Sequence, residues 1–184
     1  MCIRDRRYIE EALLELNLEI LHELKSKNTN VCSISPKENN VINIIPESEE
    51  LGYVGTPKKI NKEKILNFIN NKQIPIVAPL GLGDDGKIYN IIADVAAGSI
   101  AKEIDARRLL LMTDVEGVLD QNQKLISEIN LYKANEMLKN NIISGGMIPK
   151  INTCLDAISN GVRGVVIVDG RKPHSILFLS LIHI

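Results

Sequence analysis

The stretch L-L-L-M-T-D-V-E-G-V-L-D at Leu109–Asp120 decides the fold class of this chain. Its first part, Arg108–Thr113, has the length and the leucine-rich composition of a strand that is buried on both faces. Before it, Ala93–Ile104 has the small apolar residues of a buried helix, and Gly164–Val168 is a second apolar run of strand length. Strands that alternate with helices are typical of a parallel sheet with helices packed on it, so the pattern predicts an α/β fold.

The same alternation continues on both sides of this stretch. Apolar residues at three- and four-residue steps predict an amphipathic helix from about Arg7 to Lys27. The stripe that this helix is expected to bury comprises Ile9, Leu13, Leu16, Ile20 and Leu24. Val31–Ser35 and Val41–Pro46 are predicted strands, and the polar residues between them are typical of a hairpin loop. We also predict a strand at Ile74–Pro79 and helices at Ile60–Asn70, Leu131–Lys139 behind an Asn130 cap, and Ile151–Ser159 ended by Gly161.

The composition excludes several classes of protein. The chain has 184 residues, with 22 basic and 23 acidic side chains and only 3% aromatic residues, so it lacks the basic surface by which proteins bind nucleic acid. No apolar run approaches the roughly 20 residues that a membrane helix requires, so no membrane partner is expected. The three cysteines are too far apart for a structural zinc site or a disulfide framework. We therefore expect a cytoplasmic protein without its own metal site.

Two glycine-rich segments have competing interpretations. Gly81-Leu-Gly-Asp-Asp-Gly86 matches the dinucleotide-binding pattern letter for letter, but that pattern has to open a helix, and Lys87–Asn90 looks extended. Its two aspartates would also repel phosphates, so we predict a tight Asp-Gly turn instead. Ser144-Gly-Gly-Met147 precedes a predicted helix, and its backbone N–H groups are either an anion site or part of a loop; the sequence does not decide between these.

Two carboxylates and one lysine follow apolar elements in a pattern that suits phosphoryl transfer. Asp94 opens a predicted helix, Asp114 ends a predicted strand, and Lys150 lies in the first turn of a predicted helix. A transferring phosphoryl group needs cations to neutralise its oxygens and carboxylates to orient those cations. Each residue also has a simpler interpretation: Asp94 as an N-cap, Asp114 as a turn residue and Lys150 as a solvated surface lysine.

A resemblance to a known family depends on these same segments. Four segments of this chain follow the order and spacing of that family. They are L-G-Y-V-G at Leu51–Gly55, I-P-I-V-A-P at Ile74–Pro79, Y-N-x-x-A-D-x-A-A-G at Tyr89–Gly98 and I-S-G-G-M-I-P-K at Ile143–Lys150. From about Tyr8 to Leu177 the chain resembles the amino acid kinase family, and within it the enzymes that phosphorylate the side-chain carboxylate of N-acetyl-L-glutamate with ATP in arginine biosynthesis. The fold implied is a three-layer αβα sandwich with a mainly parallel central sheet, truncated at both ends.

The resemblance also implies roles for individual residues. Asn90 would contact N-acetyl-L-glutamate, Asp94 would organise the lysines around the phosphoryl group, and Lys150 would stabilise that group during transfer. The residues that would border ATP, which brings Mg²⁺ with it, are Asp114, Val115, Glu116, Gly117, Val118, Leu119, Ile142, Ile143 and Ser144. The complete enzyme is expected to be a homodimer or a higher homo-oligomer.

The chain departs from the family pattern in three places. The lysine-containing glycine loop of the family does not precede Tyr8, and the usual acidic tail does not follow Leu177, so we expect one incomplete kinase domain at residues 7–178 and an inactive chain as written. Residues 1–6 and 180–184 are expected to be non-native extensions. Ile92 stands where the family has a second asparagine.

Two alternatives to this function are a kinase for a related amino-acid carboxylate or carbamate, and a non-catalytic nucleotide-binding subunit.

Overall fold

The structure is a computed structural model that describes the backbone of residues 3–177 and the side chains of residues 7–177. The predicted extension at residues 180–184, and the first two residues of the one at 1–6, lie outside the described residues. The chain divides into two compact units, with Ile104 ending the first and Asp105 beginning the second. Each unit combines parallel strand pairs with helices, so the predicted α/β class is confirmed.

The first unit contains four helices and six strands within the described residues. In chain order they are α1 (Ile3–Ser26), β1 (Val31–Ile34), α2 (Pro36–Asn39), β2 (Ile42–Pro46), β3 (Gly55–Ile60), α3 (Lys62–Asn70), β4 (Ile74–Val77), β5 (Leu80–Gly83), β6 (Ile88–Asn90) and α4 (Ala93–Glu103). Strands β1 and β4 pair in parallel. The other four strands form a sheet in the order β3-β2-β5-β6, in which only β2 and β5 are parallel.

The predicted hairpin between the first two strands is wrong. The polar segment between β1 and β2 forms the short helix α2, because Pro36 at its first position favours helical backbone there. Strand β2 instead pairs with β3, a strand that the sequence analysis missed, and it contributes Ile42 and Ile44 to the core of this unit. The bounds of α3 and β4 agree with their predictions to within two residues.

Helix α1 is confirmed, but its predicted buried stripe is partly wrong. Leu16 is 52% exposed, whereas Asn17 beside it is buried. The Asn17 side chain donates to the carbonyl of Ile76 at 2.9 Å and accepts a hydrogen bond from the Ser33 hydroxyl. These bonds satisfy the buried amide, so the helix can turn Asn17 rather than Leu16 toward the strands.

The glycine-rich segment after β5 forms a turn, as predicted. Strands β5 and β6 pair antiparallel, and Gly86 adopts a φ of 74° that residues other than glycine rarely tolerate. The chain continues as strand β6 and not as a helix. The segment therefore lacks the helix N-terminus that a dinucleotide-binding loop requires.

The second unit contains β7 (Leu109–Thr113), α5 (Leu131–Lys139), α6 (Met147–Ser159) and β8 (Val165–Asp169) in the part that the structure describes. Strands β7 and β8 are parallel, with Leu109 opposite Val165 and Thr113 opposite Asp169. The Asn130 cap is confirmed, since its side chain accepts from the Lys133 amide at 2.8 Å. Helix α6 begins four residues earlier than predicted, because Pro149 is tolerated in its first turn.

The prediction that β7 is buried on both faces is wrong. Leu109 and Leu111 are buried, whereas Leu110 and Met112 are exposed, so the strand alternates as a half-buried strand does. A run of leucines has no polar residues to mark its outer face, so the composition alone indicated burial on both sides. No helix in the described residues is long and apolar enough to span a bilayer.

Helix α4 begins with an unsuitable cap. Its N-cap is Ile92, which has extended backbone dihedrals of −60° and 121° and makes no side-chain capping hydrogen bond. The interpretation of Asp94 as the N-cap is therefore wrong, because Asp94 is the second residue of the helix. By contrast, the N-caps of α3 and α5 are asparagines that accept a backbone hydrogen bond.

Replacing Ile92 with asparagine should therefore stabilise the chain. The extended backbone at Ile92 suits an asparagine cap, so Ile92→Asn should raise the free energy of unfolding by about 1 kcal/mol, as measured by urea denaturation. Ile92→Ala is the control, since it shortens the side chain without adding an acceptor. An equal gain in both variants would show that the effect comes from removing an exposed isoleucine and not from capping.

Candidate functional site

The predicted site residues fall into two groups, one in each compact unit. Asn90 and Asp94 belong to the first unit. Asp114 and Lys150 belong to the second, together with the segments 115–119 and 142–144.

Asn90 ends strand β6, at the edge of the four-stranded sheet. Its backbone N–H donates to the carbonyl of Tyr53 at 2.9 Å, and it pairs with Leu80 of β5 on its other side. The side chain is partly exposed, whereas the next residue, Ile91, is buried in the core. The backbone of Asn90 is thus fixed from two sides, while its amide remains accessible to a ligand.

Asp94 and Ile92 lie at the start of α4, just after Asn90. Asp94 is partly exposed in the first turn, where the positive end of the helix dipole favours a carboxylate. Ile92 is 49% exposed, so it is not a core residue. Because β6 ends at Asn90, Ile92 lies beyond the strand and does not share a strand face with Asn90.

A charged and aromatic cluster next to Asn90 was missed by the sequence analysis. The Tyr89 hydroxyl donates to Asp85 at 3.0 Å, and the Lys87 ammonium lies 3.1 Å from the same carboxyl oxygen. The backbone N–H of Lys87 also donates to Asp85 and lowers the pKa of that carboxyl. The rings of Tyr53 and Tyr89 lie 5.5 Å apart. These contacts hold the β5–β6 turn and, through β6, the backbone of Asn90.

The second unit has an open pocket at the carboxyl ends of β7 and β8. It has a volume of about 390 Å³ and is lined by Met112, Thr113, Asp114, Lys150, Gly170 and Arg171. Asp114 is the first residue after β7, and its carboxylate is exposed. The Lys150 ammonium extends from the first turn of α6 and donates to the carbonyl of Met112 at 3.4 Å. The structure therefore brings Asp114 and Lys150 together at one pocket.

The other residues that were predicted to border ATP differ in whether their side chains are accessible to a ligand. Val118 and Ile143 are buried together in the core of this unit, so their side chains are not available to a ligand. Glu116 and Ser144 are exposed. The backbone amides of Met147 and Ile148 donate to Ser144 and Gly145 at 3.3 and 3.2 Å, which leaves fewer N–H groups for an anion at this helix start.

An ion pair between a buried aspartate and an exposed arginine of the pocket wall was missed by the sequence analysis. Asp169, the last residue of β8, is buried and accepts from Nε and Nη2 of Arg171 at 2.9 and 3.0 Å. Hydrogen bonding from the Arg171 side chain lowers the pKa of Asp169 from 3.8 to about 2. The signal in the sequence was D-G-R directly after the predicted strand Gly164–Val168.

The pocket combines a carboxylate with cationic side chains. No group of three or more histidine, cysteine, aspartate or glutamate side chains among the described residues could hold a metal ion. The described pocket offers one exposed carboxylate and two cations at the carboxyl ends of parallel strands, where open α/β sheets bind their ligands.

Comparison with known protein families identifies the fold. The model of the amino acid kinase family matches residues 3–169, which run through both units. The chain belongs to the amino acid kinase family. Its solved relatives include smu.665 from Streptococcus mutans UA159, with a TM-score of 0.84 and 32% identity over 91% of this chain and 69% of that chain.

Other amino acid kinases are closer in sequence. A relative from Pelagibacter ubique named acetylglutamate kinase is 52% identical over 170 residues, which are 92% of this chain and 59% of that protein. A relative of the same name from Clostridioides difficile is 40% identical, with 93% of this chain and 64% of that protein covered. The chain thus spans about 59–64% of the length of these relatives.

The Asp169–Arg171 pair should make the stability of this amino acid kinase sensitive to acid. A carboxyl whose pKa is lowered by folding stabilises the folded state above its unfolded pKa of 3.8, and this contribution is lost as the pH falls toward 2. Asp169→Asn should therefore lower the free energy of unfolding at pH 7 and flatten its decline between pH 4 and pH 2. Urea titrations across this range measure both effects.

The matched control for this prediction is Glu128→Gln, which removes an exposed carboxylate elsewhere in the same unit. It should leave the slope between pH 4 and pH 2 close to that of the unmodified chain. Identical acid slopes for Asp169→Asn and the unmodified chain would contradict the ionised, paired state of Asp169.

Proposed function

We propose that this chain provides acceptor-binding and nucleotide-binding residues of an enzyme that transfers the γ-phosphoryl group of ATP to the side-chain carboxylate of N-acetyl-L-glutamate. The observation that carries the proposal is the pocket in which Lys150 and Asp114 meet at the ends of β7 and β8. The 52% identity to a relative named acetylglutamate kinase supports the choice of acceptor. The reaction would serve arginine biosynthesis in the cytoplasm.

In this reaction a carboxylate oxygen of the acceptor attacks the γ-phosphorus. The bond between that phosphorus and the bridging oxygen breaks, and ADP leaves with the electron pair, so the products are an acyl phosphate and ADP. No proton has to be moved, and catalysis consists of positioning and charge neutralisation. Lys150 supplies a positive charge at the pocket and would stabilise the negative charge that shifts onto the oxygens of the transferring group.

Magnesium fits this pocket as a companion of the nucleotide. Mg²⁺ is commonly held by one or two carboxylates together with substrate phosphates and water. Asp114 provides one exposed carboxylate in the pocket, so it would hold such an ion jointly with the phosphates. The ion would supply further positive charge to the phosphate oxygens.

The acceptor roles belong to the first unit. The accessible amide of Asn90, whose backbone is fixed by Tyr53 and Leu80, would donate to N-acetyl-L-glutamate. Asp94 in the first turn of α4 would orient cations near the phosphoryl group. The exposed Ile92 offers no hydrogen bond to a ligand, in contrast to the asparagine of the family pattern.

The enzyme is proposed to be a homo-oligomer. Helix α1 leaves Leu16 and Ile20 exposed to solvent, and because they are four residues apart they lie on one face of the helix. This exposed apolar pair supports a second copy of the chain as the partner.

The proposed activity can be tested in a fused protein. This chain replaces the matching part of the Pelagibacter ubique relative, whose own flanking segments complete the kinase. Lys150→Ala in the fusion should lower kcat about 10²–10³-fold with a smaller change in KM for ATP, because the charge it meets develops mainly in the transition state. Acyl phosphate is measured as the hydroxamate, with N-acetylglutamate, glutamate, aspartate and carbamate as acceptors.

Lys139→Ala, at the exposed end of α5, is the matched control and should leave kcat unchanged. Two outcomes would contradict the proposal. If the unmodified fusion phosphorylates another acceptor faster than N-acetylglutamate, the substrate is wrong. If Lys150→Ala retains full kcat, the catalytic role of Lys150 is wrong.

A further inference from the structure

Arg171 lines the pocket, although nothing in the proposed reaction has assigned it a role. Its side chain is 58% exposed and still has a fixed orientation, because Nε and Nη2 both donate to the buried Asp169. An arginine side chain carries five N–H donors, so the two hydrogen bonds to Asp169 leave three donors. These three donors belong to a side chain that lines the pocket.

The backbone around Arg171 is also constrained. The N–H of Gly170 donates to the carbonyl of Thr113 at 2.8 Å, and the backbone N–H of Arg171 donates to Asp169 at 3.0 Å. A side chain at position 170 would come within 3.2 Å of Met112 and 3.4 Å of the Thr113 carbonyl, so glycine permits this close approach. Arg171 is thus fixed through both its side chain and its backbone.

The loop that carries Arg171 is tied to the loop after β7. The Lys172 ammonium lies 3.6 Å from Glu116 and 4.0 Å from Asp169. These contacts hold two pocket-lining loops beside each other at the end of the β7–β8 pair. Because a fixed donor loses little entropy when it binds, the arrangement favours a ligand with several acceptor oxygens.

We propose that Arg171 is a phosphate-binding residue of the nucleotide pocket and that Asp169 is the residue that positions it. The inference rests on the proposed function in taking a nucleoside triphosphate as the occupant of the pocket. Since the ion pair has no net charge, Arg171 acts through directed N–H donors to phosphate oxygens rather than through long-range attraction. Lys150 supplies positive charge, and Arg171 fixes the orientation of the phosphate chain.

A purely structural role for Arg171 makes different predictions. A tether that only holds the loop would affect every ligand of the pocket equally, or none. A phosphate-binding residue affects ligands with phosphates and spares adenosine. The comparison of MgATP with adenosine therefore separates the two roles.

The experiment is a calorimetric titration of this chain with MgATP and with adenosine. Arg171→Gln should weaken MgATP about ten-fold, the effect of losing one hydrogen bond to a charged group, and change adenosine affinity less than two-fold. Arg171→Lys should recover little of the loss, because a lysine lacks the planar fork. Arg163→Gln, at the other end of β8, removes the same charge away from the pocket and should leave both affinities unchanged.

The positioning role of Asp169 is tested by a double-mutant cycle. Asp169→Asn should weaken MgATP in the unmodified chain but add little in the Arg171→Gln background, because its effect acts through Arg171. Circular dichroism and urea unfolding confirm that each variant is folded at the titration temperature. Additive losses would overturn the positioning role.

The outcomes distinguish this inference from the function on which it rests. Absence of MgATP binding by the unmodified chain would overturn both. If Lys150→Ala weakens MgATP binding and Arg171→Gln leaves it unchanged, only the role of Arg171 is overturned. An equal loss for adenosine and MgATP in Arg171→Gln would also overturn it, because the residue would then act on the nucleoside or on the loop.

Discussion

The parallel pairing of β7 with β8 is the interaction on which the proposed nucleotide site depends. Its register sets Thr113 opposite Asp169, so both strands end at the same edge of the sheet. The residues that follow, Asp114 after one strand and Gly170–Arg171 after the other, therefore line one pocket. A shift of this register by one residue would exchange the faces of the strand and separate these groups.

Much of this arrangement could be predicted from the sequence, because it depends on local patterns. Apolar runs marked β7 and β8, and Asp114 was predicted at the end of the first of these strands. Asn130 and Gly161 marked the ends of helices through the chemistry of their own side chains or backbone.

The errors came from contacts between residues far apart in the chain. Leu16 fits the apolar stripe of α1 as well as any leucine does, yet the partners of Asn17 at Ser33 and Ile76 decide which face is buried. The partners of β2 could not be read from its own residues either, since β1 lies close in sequence while β3 and β5 lie further on. Arg171 was missed because its fixed orientation depends on its hydrogen bonds to the buried Asp169. The sequence D-G-R alone also fits an ordinary turn.

The most direct test of this account is hydrogen exchange of the chain with and without MgATP. The account predicts slower exchange at residues 113–119, 144–150 and 169–172, which surround the pocket of the second unit, and unchanged exchange at residues 84–87 in the β5–β6 turn. Slower exchange at that turn, without any change at the ends of β7 and β8, would contradict the assignment of the nucleotide to this pocket.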